Sequence, residues 1–351
     1  MRGAGRFAIG EPPFFVFQNF KAARFQKFKI YFSRMIIQTG LRTDIPAFYS
    51  EWFAKRLTEG FVLVRNPYNH QLVTKYILSP HVVDLIGFCT KNPAPMFPYL
   101  KMLEPFGQFW FVTITPYGRD IEPHVPNKNT VIESFQELSR IIGAERVAWR
   151  YDPILIDDRY TEDYHIRAFR KMAESLGGYT DTCVISFIDL YAKVLRNFPE
   201  ARAVTPAEQE RLAGAFAEIG SAYGIRVKGC AERKTLATCG IDVEGCLTEN
   251  VIERAVRAKL RIPKGKFLRS ECRCIGGNDI GAYDSCGHLC RYCYATSDRE
   301  AYVRNRKIHD PNSPLLLGQI SPTDKIHAAK QESWKCSQTD LFRDTTRNAS
   351  D

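Results

Sequence analysis

The densest chemistry in this chain lies late, in Cys286-Gly287-His288-Leu289-Cys290-Arg291-Tyr292-Cys293-Tyr294-Ala295. Three thiols share one short loop, with three and then two residues between them. A structural zinc site takes four ligands, usually from two Cys-x-x-Cys knuckles, so three is the informative number. A cubane of four irons and four sulfides held by three cysteines keeps one iron without a protein ligand. That open position can bind a substrate or cofactor directly. Cys286, Cys290 and Cys293 are therefore candidate metal ligands, for iron in such a cluster or for zinc.

Eight of the eleven cysteines fall between Cys230 and Cys293. An odd count without a secretory signal argues against a disulfide framework and for metal binding in a reducing cytoplasm. Cys230 in "GCAE", Cys246 in "GC", and Cys272 with Cys274 in "ECRC" form a second set. Four ligands would complete an auxiliary iron–sulfur cluster or a zinc site, with Cys239 competing for membership. The alternative is a group of reduced, partly buried thiols. Away from the cysteines, "WRYDP" sets Arg150 and Asp152 on alternate positions of a strand end, so both face one side. They are the candidate catalytic residues, able to grip an anion or to pair with each other. His288 is expected to face solvent. No Walker loop, dinucleotide fingerprint or Ser–His–Asp pattern is present.

These residues need a frame. From Met35 a β/α rhythm sets in: "MIIQTGL" (35–41), "FVLVR" (61–65), "VVDLIGF" (82–88), "FWFVTIT" (109–115), "RVAWRY" (146–151), "CVISFID" (183–189) and "GIRVKGC" (224–230) read as strands. Pro46 opens a helix with Phe48, Trp52, Phe53 and Leu57 on one face, and helical patterns follow at about 130–142, 162–176, 206–222 and 249–259. Alternation of this kind implies parallel strands with right-handed crossovers. The expected fold class is α/β, a TIM-like β/α barrel, with a doubly wound sheet as the alternative. The expected division is a basic leader or mispredicted start at 1–34, a barrel over 35–265, a cysteine-bearing segment over 266–330 that completes it, and a tail at 331–351. In a barrel, function gathers after the strands, and those positions are polar here: Arg42-Thr43-Asp44, Lys91, Thr113, Arg150 and Asp152 among them. Thr43 or Asp44 would equally serve as a helix cap.

The spacing Cys286-x-x-x-Cys290-x-x-Cys293, with Tyr292 before the last thiol, resembles the cluster motif of the radical S-adenosylmethionine enzymes. The resemblance implies that the three cysteines are ligands and that Tyr292 lies near the adenine of S-adenosylmethionine. It implies reductive cleavage of that cofactor to a 5′-deoxyadenosyl radical, with an electron donor such as flavodoxin or ferredoxin as partner. Members of that superfamily carry the motif after the first barrel strand, whereas here it follows most of the chain. A circular permutation would reconcile the two, placing 279–293 beside 35–41 and the motif at the same rim as Arg42, Thr43 and Asp44. By the resemblance those three contact the cofactor, Asp44 at the methionine amine. Residues 35–342, with "RTDIPAFYSEWF", "TKNPAPM", "WRYDPIL" and "DIGAYDSCGHLCRYCYA", are also similar to a bacterial family, the domain of unknown function 1848.

Net charge is +10, but residues 1–34 hold seven Lys or Arg against Glu11 alone, so they account for +6 and the rest for +4. Global basicity therefore says little about a nucleic-acid partner. No uninterrupted apolar span of membrane length is visible. Near the end, Gln338-Thr339-Asp340-Leu341-Phe342 resembles the pentapeptide by which bacterial DNA repair proteins engage the sliding clamp. It supports a second expectation, a non-catalytic, metal-stabilised, DNA-associated binding protein recruited to the clamp, the alternative being that Leu341 and Phe342 pack back on the barrel. Spore photoproduct lyase, a radical enzyme acting on DNA, makes a nucleic-acid substrate the runner-up for the enzyme.

Overall fold

The structure is a computed structural model that describes residues 35–263, 267–269 and 272–336, with backbone alone for 267–269, 272 and 273. The leader at 1–34 and the clamp-like pentapeptide at 338–342 lie outside the described residues. In chain order the elements are β1 (Ile36–Gln38), α1 (Ile45–Phe48), α2 (Ser50–Glu59), β2 (Phe61–Arg65), β3 (Leu72–Ile77), β4 (Leu85–Thr90), β5 (Gly107–Thr113), α3 (Lys128–Ile142), β6 (Val147–Ile154), α4 (Glu162–Leu176), β7 (Thr182–Phe187), α5 (Ala192–Asn197), α6 (Pro206–Ala222), β8 (Arg226–Gly229), α7 (Glu249–Val256), β9 (Phe267–Arg269), β10 (Cys272–Ile275), β11 (Asn278–Asp279), α8 (Arg299–Lys307) and β12 (Lys325–Ala328).

Seven strands form one parallel sheet in the order β11-β1-β4-β5-β6-β7-β8. Apolar residues on both faces of these strands favour such a sheet, because both faces must be covered. Alternation splits β4 to β7 cleanly. Ile86, Phe88, Trp110, Val112, Trp149, Tyr151 and Ile185 enter one apolar cluster with α3, α4 and α6. Leu85, Phe109, Phe111, Ala148 and Val184 enter a second, with Leu247, Val251, Ile252 and Ala255. Helix α7 therefore lies across the inner face of the sheet. The edge strands β11 and β8 do not pair with each other among the described residues.

The sequence places "FVLVR" in the barrel; the structure does not. That strand, β2, pairs antiparallel with β3, and β12 joins β3 from the other side as a separate three-stranded sheet. The reason is local. Asn66 Oδ1 accepts hydrogen bonds from the backbone N–H of Tyr68 and Asn69, at 2.8 and 3.1 Å, and this side-chain turn sends the chain straight back. A two-stranded hairpin then forms where a crossover was expected.

The last strand of the sheet lies beside the first. β11 pairs in parallel with β1, Ile37 opposite Asn278 and Gln38 opposite Asp279. Polar bonds close this seam: Leu41 N donates to Asp279 Oδ1 at 3.2 Å, Arg42 Nη2 donates to the Asp279 carbonyl at 2.8 Å, and Arg42 Nε pairs with Asp279 Oδ2. The motif loop thus emerges at the rim where β1 ends. The ladder ends at Asp279, because Thr39 and the loop after it turn away to begin α1.

Candidate functional site

At that rim lies a cavity of about 140 Å³. One wall is Gly40, Leu41, Thr43 and Asp44 after β1; another is Cys89, Thr90 and Lys91 at the end of β4. The motif loop closes it with Cys286, Cys290, Tyr292 and Cys293. Gly40 is required here, because a Cβ on it would lie 2.2 Å from the Cys89 carbonyl oxygen. The β1 loop and β4 are thereby held close enough to share the cavity wall.

The motif loop is tethered from several sides. The His124 imidazole Nδ1 donates to the Gly287 carbonyl at 2.9 Å, His124 N donates to the His288 carbonyl at 3.3 Å, and Arg291 N donates to Ile121 O at 3.0 Å. Tyr294 OH donates to the Leu41 carbonyl at 2.5 Å, so the loop also grips the end of β1. Cys290 is buried and Cys286 and Cys293 are half-buried. Burial pushes the Cys286 thiol well above its ordinary range and Cys290 up to about 12, although the Lys91 charge opposes the latter. A cation beside them would reverse this, because a coordinated thiol is deprotonated outright.

His288 departs from the solvent-facing expectation. It is 3 % exposed, its Nε2 lies 2.9 Å from Asp44 Oδ2, and the Phe48 ring stands edge-on at 4.7 Å. The buried carboxylate that receives it comes from the other end of the chain, invisible to local pattern. Asp44 does cap: its Oδ1 accepts from Ala47 N at 3.0 Å at the start of α1, and its Oδ2 also accepts from Lys91 N at 2.8 Å. Neighbouring Thr43 has a buried Oγ1 with no hydrogen-bond partner, and so does His288 at Nδ1. Two unpartnered polar atoms thus belong to residues lining the cavity. Arg42 is spent on the β1–β11 seam.

Below the loop sits a group that sequence reasoning missed. Glu122 is 1 % exposed and accepts from Lys91 Nζ at 2.8 Å and Thr115 Oγ1 at 2.6 Å, and from Lys128 Nζ and Tyr292 OH. Burial works against its charge, but the two ammonium groups outweigh it and hold the carboxyl at about 2. One carboxylate between two lysines cannot satisfy both equally. Burial opposes the Lys91 charge, yet Glu122 and Cys290 carry that ammonium above its usual range, whereas burial prevails at Lys128. Tyr292 therefore reaches the cavity with its hydroxyl already bonded to Glu122.

Along the same rim, Arg150 and Asp152 pair with each other, and Ser186 Oγ donates to Asp152 Oδ1. Beyond them the second thiol set partly assembles. Cys246 Sγ lies 3.8 Å from Cys230 Sγ and 3.2 Å from Cys274 Sγ. The side chain of Cys272 lies outside the described residues, and Cys239 packs with the opposite apolar cluster. Among the described residues no three His, Cys, Asp or Glu side chains already stand as a ready-made site for one ion.

The model of a domain of unknown function (DUF1848) matches residues 36–295, from the first strand to just past the third motif cysteine. The chain belongs to the DUF1848 family. Comparison with curated proteins gives no match. Among solved structures, this DUF1848 chain is similar over 60 % of its length to a protein named as a candidate alpha-L-fucosidase from Bacteroides thetaiotaomicron, at 9 % identity and a TM-score of 0.24. It spans 59 % of that protein's structure. Among the described residues no helix is long and apolar enough to cross a membrane.

Proposed function

We propose that this DUF1848 chain is a radical S-adenosylmethionine-type enzyme whose 4Fe-4S cluster is held by Cys286, Cys290 and Cys293. The carrying observation is that all three thiols and the Thr43–Asp44 loop line one cavity, although they lie at opposite ends of the described chain. The donor set fits the group. Thiolates suit iron–sulfur clusters, and a cubane presents each thiolate with a different iron, so its ligands stand farther apart than those of one ion. The unpartnered Thr43 Oγ1 and His288 Nδ1 add polar capacity on the walls. In this reading the open sheet is a β/α barrel permuted so that its first strand, β11, comes last in the chain.

Cys286, Cys290 and Cys293 would hold a cluster that would supply one electron, drawn from a flavodoxin- or ferredoxin-class donor, for reductive cleavage of S-adenosylmethionine. The chain's own residues prepare the place. Asp44 fixes the cavity wall by bonding α1, Lys91 N and His288 at once. Lys91 offers a buried positive charge beside Cys290, which favours thiolate over thiol. Glu122 holds Lys91 and the Tyr292 hydroxyl in position. Arg150 and Asp152, paired with each other farther along the rim, are the candidate substrate contacts.

Anaerobic reconstitution with iron and sulfide tests the reading. The wild-type chain is expected to bind a cubane and to release 5′-deoxyadenosine from S-adenosylmethionine under reduction, and Cys290→Ala to do neither. A fully loaded wild-type protein that yields no 5′-deoxyadenosine would refute the activity.

A further inference from the structure

Three thiols outside the motif meet at the inner face of the sheet. Cys230 follows β8, Cys246 precedes α7, and Cys274 lies on β10. Cys246 and Cys274 are 7 % and 4 % exposed and sit in the inner apolar cluster with Leu247 and Ile252. A merely hydrophobic role would ask only for burial. Here the sulfurs face one another instead, and the separations discriminate between metal centres. A Zn–S bond of about 2.3 Å sets neighbouring sulfurs about 3.8 Å apart around a tetrahedral ion. The Cys230–Cys246 distance is 3.8 Å, and Cys246–Cys274, at 3.2 Å, needs to open by only a few tenths of an ångström. A cubane would need far wider spacing.

A second observation is independent of the sulfur–sulfur distances. The backbone N–H groups of Cys246 and Leu247 both donate to Cys274 Sγ, at 3.1 and 3.4 Å. A neutral thiol is a weak acceptor, whereas a thiolate accepts strongly, and outer donors of this kind orient metal-bound sulfur. Ile275 N donates to Leu247 O at 2.9 Å, docking the β9–β10 hairpin against the turn that carries Cys246. The Arg150 guanidinium lies near enough to Cys230 and Cys246 to interact with their charge, so the negative charge of a thiolate site would meet a cation.

We propose that Cys230, Cys246 and Cys274 hold a single zinc-class ion. Its thiolates Cys246 and Cys274 are buried in the inner apolar cluster, away from the motif cavity, so the ion is structural. It pins the β9–β10 hairpin to the segment before α7, and so holds that helix across the inner face of the sheet. This site is separate from the motif cavity and does not depend on the radical-enzyme reading.

Elemental analysis of the full-length chain, followed by chelator treatment and titration with cobalt(II), tests the proposal. About one zinc per chain is expected, replaceable by one cobalt that shows intense sulfur-to-cobalt absorption. Cys246→Ser and Cys274→Ser should lose that ion and its absorption while keeping the iron of the motif site. Cys290→Ser should lose iron and keep the zinc. The proposal fails if wild-type protein gives no thiolate–cobalt absorption, if the absorption survives undiminished in Cys246→Ser, or if that variant loses iron and sulfide rather than zinc. Should the serine variants not fold, wild-type protein alone decides: zinc should shield Cys230, Cys246 and Cys274 from iodoacetamide and chelator should expose them. Labelling unchanged by chelator would overturn the site.

Discussion

Replacing Glu122 by glutamine tests how the cavity floor is held. The carboxylate is buried and faces two ammonium groups, and glutamine keeps its shape and its acceptance of the Thr115 and Tyr292 hydroxyls while removing its charge. Lys91, with 12 % of its side chain exposed, is left buried without a counter-charge; Lys128, at 24 %, can turn toward water. Breaking a buried pair costs about 3–5 kcal/mol, and the escape of Lys128 places this case near about 3. A second route gives a similar size. Lowering a glutamate from 4.5 to about 2 corresponds to about 3 kcal/mol of folded-state preference for the ionised form. About 300 described residues at roughly 2 cal/mol/K each give an unfolding entropy of about 0.6 kcal/mol/K, so Glu122→Gln should lower the Tm by about 5 °C at pH 7. The sign in acid is fixed as well. A depressed carboxyl contributes stability fully present above about 4.5 and lost as pH falls through about 2. Wild-type protein should shed this contribution across that window and the variant should not. Scanning calorimetry at pH 7 and urea titrations at descending pH measure both effects. A Tm within about 1 °C of wild type, or an acid loss as steep as wild type, would refute the reasoning, since about 3 kcal/mol cannot hide in either experiment.

The β1–β11 seam and one buried histidine give two further tests. Asp279→Asn removes the partner of Arg42, where both side chains are 13 % exposed or less; a loss of about 2–3 kcal/mol in urea unfolding is expected, with iron retained less well after reconstitution because the seam sets the motif loop beside β1. Unchanged stability together with unchanged iron would show that the backbone ladder alone holds the seam. Buried His165 bonds Tyr151 OH through Nδ1 and donates from Nε2 to Leu155 O, and burial pulls its pKa down to about 4. Its neutral form therefore contributes stability present above about 6.5 and lost as pH falls through about 4, a term of about 3 kcal/mol. Glu232, raised to about 7 by burial with Asp152, Cys230 and Asp189 adding to it, works in the opposite sense, its contribution present below about 4.5 and lost as pH rises through about 7. The His165→Gln variant separates them: between pH 6.5 and 4, wild type should lose about 3 kcal/mol relative to the variant, and parallel pH profiles would exclude His165 as the source.

Much of the frame was written locally. The helices at 162–176 and 206–222 match the expected spans, because Thr161 and the Thr205–Glu208 capping box mark their starts within a few residues of sequence. Six of the seven expected strands, all but "FVLVR", entered the parallel sheet, since β-branched and aromatic runs buried on two faces announce themselves. The three-thiol loop was equally legible: its chemistry lies in spacing along ten residues. "FVLVR" was misplaced because nothing in its own pattern distinguishes a sheet strand from a hairpin strand. The Asn66 turn decided that, and it lies just beyond the strand.

Local pattern carries the inventory: which thiols exist, which segments become strands, and that a late strand must return to an early one for the motif to share a rim with Thr43 and Asp44. Tertiary structure decided the partners. Asp44 became both a helix cap and the receiver of His288, 244 residues away, and Glu122 became the hub for Tyr292 across 170 residues. Cys246 and Cys274, 28 residues apart, met only because α7 and the hairpin cover the inner face of the sheet. A side chain's type limits what it can bond, and local spacing shows only neighbours within a turn or a strand. The choice of partner belongs to burial, where every charge and polar group taken from water must be matched by whatever the fold brings beside it.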